Sequence, residues 1–358
     1  MNSQNNPLLK ELNGTIRLGE LFCGPGGIGL GATLACVNGL KFDHIWATDY
    51  DKDTCKTYKN NLHPKEVICE DIRKLNFENI LKKHGNIDCL TFGFPCNDFS
   101  SVGEQKGLDG SFGALYQYCV NALNVFKPKF FVAENVSGLK NANDGTAFSH
   151  ILQAFQNTGY KIYPNLYCFE TYGIPQKRHR IIIVGIRSDI DLTFKIPSNV
   201  PYKDIDNSVK TALKNIPINV ANNEKTIQSD KVVERLKYIK EGENAFTANL
   251  PPELQLNVKG AKISQIYKRL KSDEPSYTIT GSGGGGTHVY HYKENRALTN
   301  RERARLQTFT DNFVFYGTKE SVRKQIGMAV PPQGIKIIFE ALLNCIMGND
   351  YETMEAKV

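Results

Sequence analysis

The stretch Phe22-Cys23-Gly24-Pro25-Gly26-Gly27-Ile28-Gly29 closes an apolar run, Thr15–Phe22, whose branched and aromatic composition is that of a strand. Gly24-x-Gly26-x-x-Gly29 is the spacing of a nucleotide-binding turn, in which glycines let the main chain turn tightly and approach a ligand. Asp49 stands about 20 residues further on, at the end of the next expected strand, where an acid meets ribose hydroxyls. Asp71 ends the third strand. On these residues alone the ligand is either a nicotinamide dinucleotide or the adenosine part of S-adenosylmethionine, and a plain tight turn is the alternative.

Outward from this turn, short apolar runs bounded by Gly, Pro, Asn or Asp recur at His44–Asp49, Glu66–Asp71, Ile87–Phe94, Phe130–Val136, Ile162–Phe169 and Arg180–Arg187. Helix-like spacing fills Asp51–Asn61, Leu115–Phe126 and Phe148–Thr158. Apolar strands with helical crossovers predict an α/β fold, a mostly parallel sheet covered on both faces, with ligands beyond the carboxyl ends of its strands. After Arg187 the pattern breaks. Residues 189–260 are rich in Asn, Lys and Pro, and a glycine run, Gly281-Ser282-Gly283-Gly284-Gly285-Gly286, follows. Helical spacing returns at Thr299–Phe309, with Thr299 as N-cap and Glu302 as its capping-box partner, and again at Gly334–Met347.

The 358 residues are enough for two domains, and 41% hydrophobic with 23% charged residues argues against a disordered chain. No apolar run reaches the roughly 18 residues of a membrane span, and the N-terminal MNSQNNPLLKELNG lacks the pattern of a signal peptide, so a cytoplasmic location is expected. The nine cysteines are scattered without a CxxC pair, which points to neither a disulfide framework nor a zinc site. All of the net charge of +7 lies in residues 191–330. That is the footprint of a polyanion-binding module, or of a solvated basic surface.

Three further clusters carry chemistry. Cys96, in Phe94-Pro95-Cys96-Asn97-Asp98, sits on a loop just past the fourth strand, where a thiol beside a cofactor site is a candidate nucleophile. Glu134, in Ala133-Glu134-Asn135-Val136, brings a carboxylate to the same sheet edge. In Gln176-Lys177-Arg178-His179-Arg180, alternation along an extended segment points Arg178 and Arg180 to one side, suiting an anion or a carboxylate that needs orientation.

Taken in order, Phe22-Cys-Gly-Pro-Gly-Gly, Pro95-Cys96, Glu134-Asn135-Val136, Gln176-x-Arg178-x-Arg180, Arg296–Phe309 and Gln325–Pro332 resemble the motifs of the DNA cytosine-C5 methyltransferases, over about residues 15–187 and 276–345. The resemblance implies a Rossmann-like methyltransferase domain with a smaller, irregular target-recognition domain. It implies S-adenosylmethionine as cofactor, no metal, and double-stranded DNA as partner. Cys96 would attack C6 of a cytosine flipped from the helix, Glu134 would hold N3 and the exocyclic amine, and Arg178 and Arg180 would orient the base and Glu134. Phe22, Gly24, Gly26, Gly27, Asp49, Tyr50, Asp71, Ile72, Pro95, Leu115 and Ala329 fall at cofactor-lining positions. Ser100, Thr278, Gly283, Gly284 and Arg301 are the expected DNA contacts, and Ser100–Gly113 a closing loop. Three positions depart from the family pattern: Asn97 replaces Gln, Phe112 replaces Arg, and Met328 replaces Asn.

The expected organisation is a catalytic domain at 1–188 and 325–358, a target-recognition domain at 189–295, and a linking motif helix at 296–324. A monomeric, bacterial-type modification enzyme, working beside a cognate restriction endonuclease, is the reading that follows. A methyltransferase acting on transfer RNA would share the chemistry, but the basic insertion favours duplex DNA. A nicotinamide oxidoreductase would explain only the glycine turn and Asp49, and a silent DNA-binding protein would not need Cys96 and Glu134.

Overall fold

The computed structural model describes residues 7–94, 115–256 and 264–358. It divides into two compact units, the first of Met1–Cys168, His179–Pro201 and Pro332–Val358, the second of Phe169–Arg178 and Tyr202–Pro331. This division differs from the expected boundaries. Residues 169–178 and 296–331 pack with the second unit, and 189–201 with the first.

The first unit is built on a sheet of β1 Thr15–Leu21, β2 Cys36–Val37, β3 Leu40–Asp49, β4 Glu66–Cys69, β5 Cys89–Phe92, β6 Phe130–Val136, β7 Tyr160–Cys168 and β8 His179–Arg187. The strand order is β2-β3-β1-β5-β6-β8-β7, with β4 also on β3. Pairs β3–β4, β1–β3, β1–β5 and β5–β6 are parallel, while β8 runs antiparallel to β6 and β7. The order reverses between β1 and β5, so their carboxyl ends border the crevice where such sheets take ligands. β2 is absent from the expected strands, although Asn38-Gly39 signals it. Both residues are left-handed (φ 48° and 85°), as a two-residue hairpin turn requires.

Helices α1 Pro7–Leu12, α2 Gly27–Leu34, α3 Lys52–Leu62, α4 Phe77–His84, α5 Tyr116–Phe126 and α6 Thr146–Asn157 accompany the sheet. All four residues of β5 are buried, which is why it reads as an unbroken apolar run. On one face Phe92 stacks on Phe131 at 5.7 Å, and Phe155 of α6 meets both rings edge-on. Each such buried ring stabilises the sheet by about 1.5–3 kcal/mol.

The second unit holds α7 Val209–Ala212, α8 Asp230–Lys237, α9 Asn300–Leu306 and α10 Lys319–Met328; α11 Pro332–Met347 belongs to the first unit. Thr299 caps α9 as its sequence indicates, accepting from Glu302 N at 3.1 Å while Glu302 Oε2 accepts from Thr299 N at 2.7 Å. The apolar cluster around Leu236, Ile239, Leu250, Tyr267 and Tyr290 is small, and the strand pairing among the described residues is limited to isolated bridges. Buried carbonyls must still be satisfied. Here guanidinium groups do it. Arg269 donates to Leu236 O, His291 O and Glu294 O at 2.6–2.8 Å, and Arg235 donates to Leu254 O at 2.8 Å. Part of the basic excess is therefore internal scaffolding rather than a surface.

Residues 319–347 are apolar and long enough by composition to cross a membrane, but they form two helices, α10 and α11, interrupted after Met328, and 78% of the most apolar window is buried within the protein.

Candidate active site

The glycine turn follows β1. Phe22 and Gly24 are left-handed (φ 52° and 54°), Cys23 N donates to Thr48 O, and Gly26 (φ 101°) precedes α2. A Cβ on Gly24 would meet nothing within 4 Å, so the turn opens onto free space, whereas one on Gly29 would strike Tyr58, Leu62 and Glu20. The fingerprint thus splits its labour: Gly24 and Gly26 make the turn, and Gly29 lets α2 pack closely on α3.

Asp49, at the end of β3, is fixed beside this turn. Its Oδ2 accepts from Gly24 N and its Oδ1 from Asp51 N, both at 3.0 Å. Burial raises its pKa above the usual carboxylate value, against the pull of those main-chain donors. Tyr50 next to it is 65% exposed, an aromatic ring without protein cover. Past β4, Asp71 accepts from Arg73 N and pairs with its guanidinium, which holds the Asp71 pKa down to about 2; Ile72 is buried. An uncovered aromatic, an oriented acid and a turn left open at Gly24 fit an adenosine-bearing cofactor. Gly27 begins α2, and Leu115 packs into the main apolar core.

Glu134 and Arg180 meet across β6 and β8. Arg180 Nε lies 2.8 Å from Glu134 Oε1, and both side chains are about 13% exposed. Arg180 also donates to His179 O at 2.7 Å, and burial lowers its pKa. Glu134 closes on the end of β5, since a Cβ on Gly93 would lie 3.1 Å from Glu134 Oε2. Asn135 Nδ2 donates to Phe94 O at 3.2 Å, tying β6 to the last described residue before the segment that carries Cys96. Pro95, Cys96, Asn97, Ser100 and Phe112 lie outside the described residues.

Arg178 stands just before β8, which begins at His179, and it belongs to the second unit. It is 1% exposed and donates to Ile279 O at 3.1 Å and Gly327 O at 3.0 Å. Gln176 is equally buried. It accepts from Ile279 N and donates to Leu306 O and Gln307 Oε1. The first half of this motif is a structural clamp. Arg301 likewise fails as a DNA contact: it is fully buried, with Ala221 O, Thr310 O and Phe313 O accepting at 2.7–3.0 Å. Thr278 donates to Lys177 O and Ala329 is the C-cap of α10, both in the second unit, while Gly283 (φ 125°) and extended Gly284 lie in its glycine run.

Sequence reading missed a buried polar chain beneath the glycine turn. Tyr58 OH donates to Glu20 Oε2 at 2.7 Å, His44 Nδ1 lies 3.0 Å from Tyr58 OH, and Thr33 Oγ1 is 2.9 Å from His44 Nε2. Burial pushes the Glu20 pKa up to about 8 and that of His44 down to about 4. The available signal was an acid, Glu20, between Gly19 and Leu21 in the last, fully buried half of β1.

Residues 16–344 match the C-5 cytosine-specific DNA methylase family. The chain is 52% identical to the type II methyltransferase M.BbvI of Brevibacillus brevis, over 95% of this chain and 94% of that one. It is 42% identical to the type II methyltransferase M.NgoFVII of Neisseria gonorrhoeae, over 94% and 88%. Among solved structures, the Entamoeba histolytica methyltransferase EhMeth shares the fold at 16% identity, with a TM-score of 0.66 over 92% of this chain and 98% of that one. The order of motifs, the reversed sheet and these matches agree, and the chain belongs to the C-5 cytosine-specific DNA methylases.

Proposed function

We propose that the protein modifies one cytosine within a specific duplex DNA sequence, as the methylating member of a restriction-modification system. The observation that carries the catalytic assignment is the Glu134–Arg180 pair at the sheet edge from which the chain runs to Cys96. Carbon 5 of cytosine is a weak nucleophile. The Cys96 thiolate adds to C6, and the ring electrons move to C5. Glu134 bonds N3 and the exocyclic amine, stabilising the ring as C6 is attacked. Arg180 holds the Glu134 carboxylate in place. After methylation, loss of the C5 proton restores the double bond and expels Cys96. The base must leave the stack for this to occur.

The family uses S-adenosylmethionine, which when bound supplies an electrophilic methyl group. Phe22, the Gly24–Gly27 turn, Asp49, Tyr50, Asp71 and Ile72 would hold its adenosine. The second unit would carry the choice of target, with Thr278 and the Gly283-Gly284 main chain as contacts. A cytoplasmic monomer, paired genetically with an endonuclease, completes the reading.

Transfer of a tritiated methyl group to duplex DNA, with transfer RNA as the control acceptor, tests the substrate. Cys96→Ser is expected to abolish transfer and keep DNA binding. Duplex DNA bearing 5-fluorocytosine at the target is expected to trap a covalent adduct, because fluorine does not leave as a proton does. Unaltered turnover in Cys96→Ser would sink the mechanism.

A further inference from the structure

The second unit contains a cavity of ≈ 240 Å³ lined by three cations, Arg303, Arg323 and Lys319, with His288 among them. It is far larger than the ~10–15 Å³ that one water needs. Arg303 is 2% exposed. The other deeply buried arginines of this unit find main-chain carbonyls, as Arg269 and Arg301 do. Arg269 leaves only its Nε unmatched while its other nitrogens donate, whereas the Arg303 side chain makes no hydrogen bond among the described residues: its Nη1 is buried with no partner, and so is the Nε of Arg323.

A guanidinium keeps its charge in a protein, and a buried charge left without a partner is costly. Glu224 and Glu320 also stand on the lining, but neither closes on those two nitrogens. Burial and the neighbouring Arg323 depress the Arg303 pKa to about 10. His288 feels both arginines, and with burial they bring it down to about 4, so at neutral pH it is an uncharged hydrogen-bonding group. The cavity also reaches Gly284 and Gly285, where an added Cβ would meet nothing within 4 Å. Packing does not demand those glycines; they leave the approach open.

We propose that this cavity binds a phosphate-class oxyanion, held by Arg303 and Arg323 with Lys319 and His288 as further donors. A DNA backbone phosphate and free inorganic phosphate offer the same chemistry, and the test separates them. In the first arm, thermal unfolding of the full chain is followed in inorganic phosphate and in chloride at matched ionic strength. A phosphate-specific Tm rise of about 2–4 °C, lost in Arg323→Gln, identifies a free-anion site. In the second arm, binding of a mixed-sequence duplex of about 30 base pairs is measured against salt, and Arg323→Gln is expected to weaken it several-fold and lower the salt slope by about 1.

A response in the DNA arm alone assigns the site to a strand phosphate. Arg323→Gln with both the phosphate response and the salt slope unchanged from wild type overturns the proposal. Arg323 is only half-buried, so this variant avoids the folding risk of Arg303→Met. Where Arg303→Met folds, it must lose the same response; a variant that gains stability and keeps both responses also overturns the proposal. Neither arm requires methyl transfer, so the result is independent of the catalytic reading.

Discussion

The two units differ in what their most buried arginines hold. In the first, β ladders satisfy the main chain, and Arg180 is left to pair with the Glu134 carboxylate at the sheet edge. In the second, few ladders form, and Arg178, Arg235, Arg269 and Arg301 take over the buried carbonyls. The same side chain holds a carboxylate in one place and main-chain carbonyls in the other. Irregular backbone needs donors that can reach several carbonyls at once, and the guanidinium fork supplies five N–H groups.

Substitutions can break this contrast. Glu134→Gln should lower methyl transfer by about 10²–10⁴-fold, as expected for loss of a positioned acid–base group, with Arg180→Met falling in the same direction. Single-turnover assays check both, and an unaltered rate in Glu134→Gln would remove the carboxylate from the mechanism. Arg301→Met strands three buried carbonyls and should cost about 3–5 kcal/mol in urea unfolding. A loss under 1 kcal/mol would mean that water or neighbouring groups replace the guanidinium.

The polar chain under the glycine turn sharpens the contrast through pH. Glu20 holds its proton in the folded state up to about pH 8 but releases it near 4.5 when unfolded. The native state therefore binds more protons across that window, and stability falls as pH rises through it. His44 acts in the other direction, costing stability as pH drops from 6.5 toward 4. Glu20→Gln should flatten the decline above pH 5 by a few kcal/mol in total; a profile identical to wild type would show that the acid is ionised in place. The smallest effect is expected at Gly24. Gly24→Ala forces a methyl-bearing residue into φ +54° at a cost of about 1–2 kcal/mol, read as roughly tenfold weaker binding of S-adenosylhomocysteine by calorimetry.

The same contrast explains what could be read in advance. β6 was legible at Phe130–Val136 because it opens on four consecutive buried apolar residues, Phe130–Ala133, as a strand covered on both faces does. The α9 cap was legible because Thr299 and Glu302 act within one turn. Short-range signals carried these elements. The hairpin at Asn38-Gly39 was equally local and was overlooked. The misreading of Arg301 and the unforeseen carbonyl grip of Arg178 have a different reason: the partners lie as far as 80 and 149 residues away, and a basic residue reads as surface until its carbonyls are known. The charge surplus of residues 191–330 therefore overstated the surface available to a polyanion.

The excursion of residues 169–178 has a practical outcome for anyone exchanging the second unit between relatives. Gln176 and Arg178 grip Ile279 and Gly327 from a stretch of chain that departs one sheet strand and re-enters the next. A cassette cut at 202–331 would leave those grips behind and be stitched to a foreign decapeptide. Chimeras that carry the ten-residue loop along with the longer insert should recover soluble protein where the simpler swap fails.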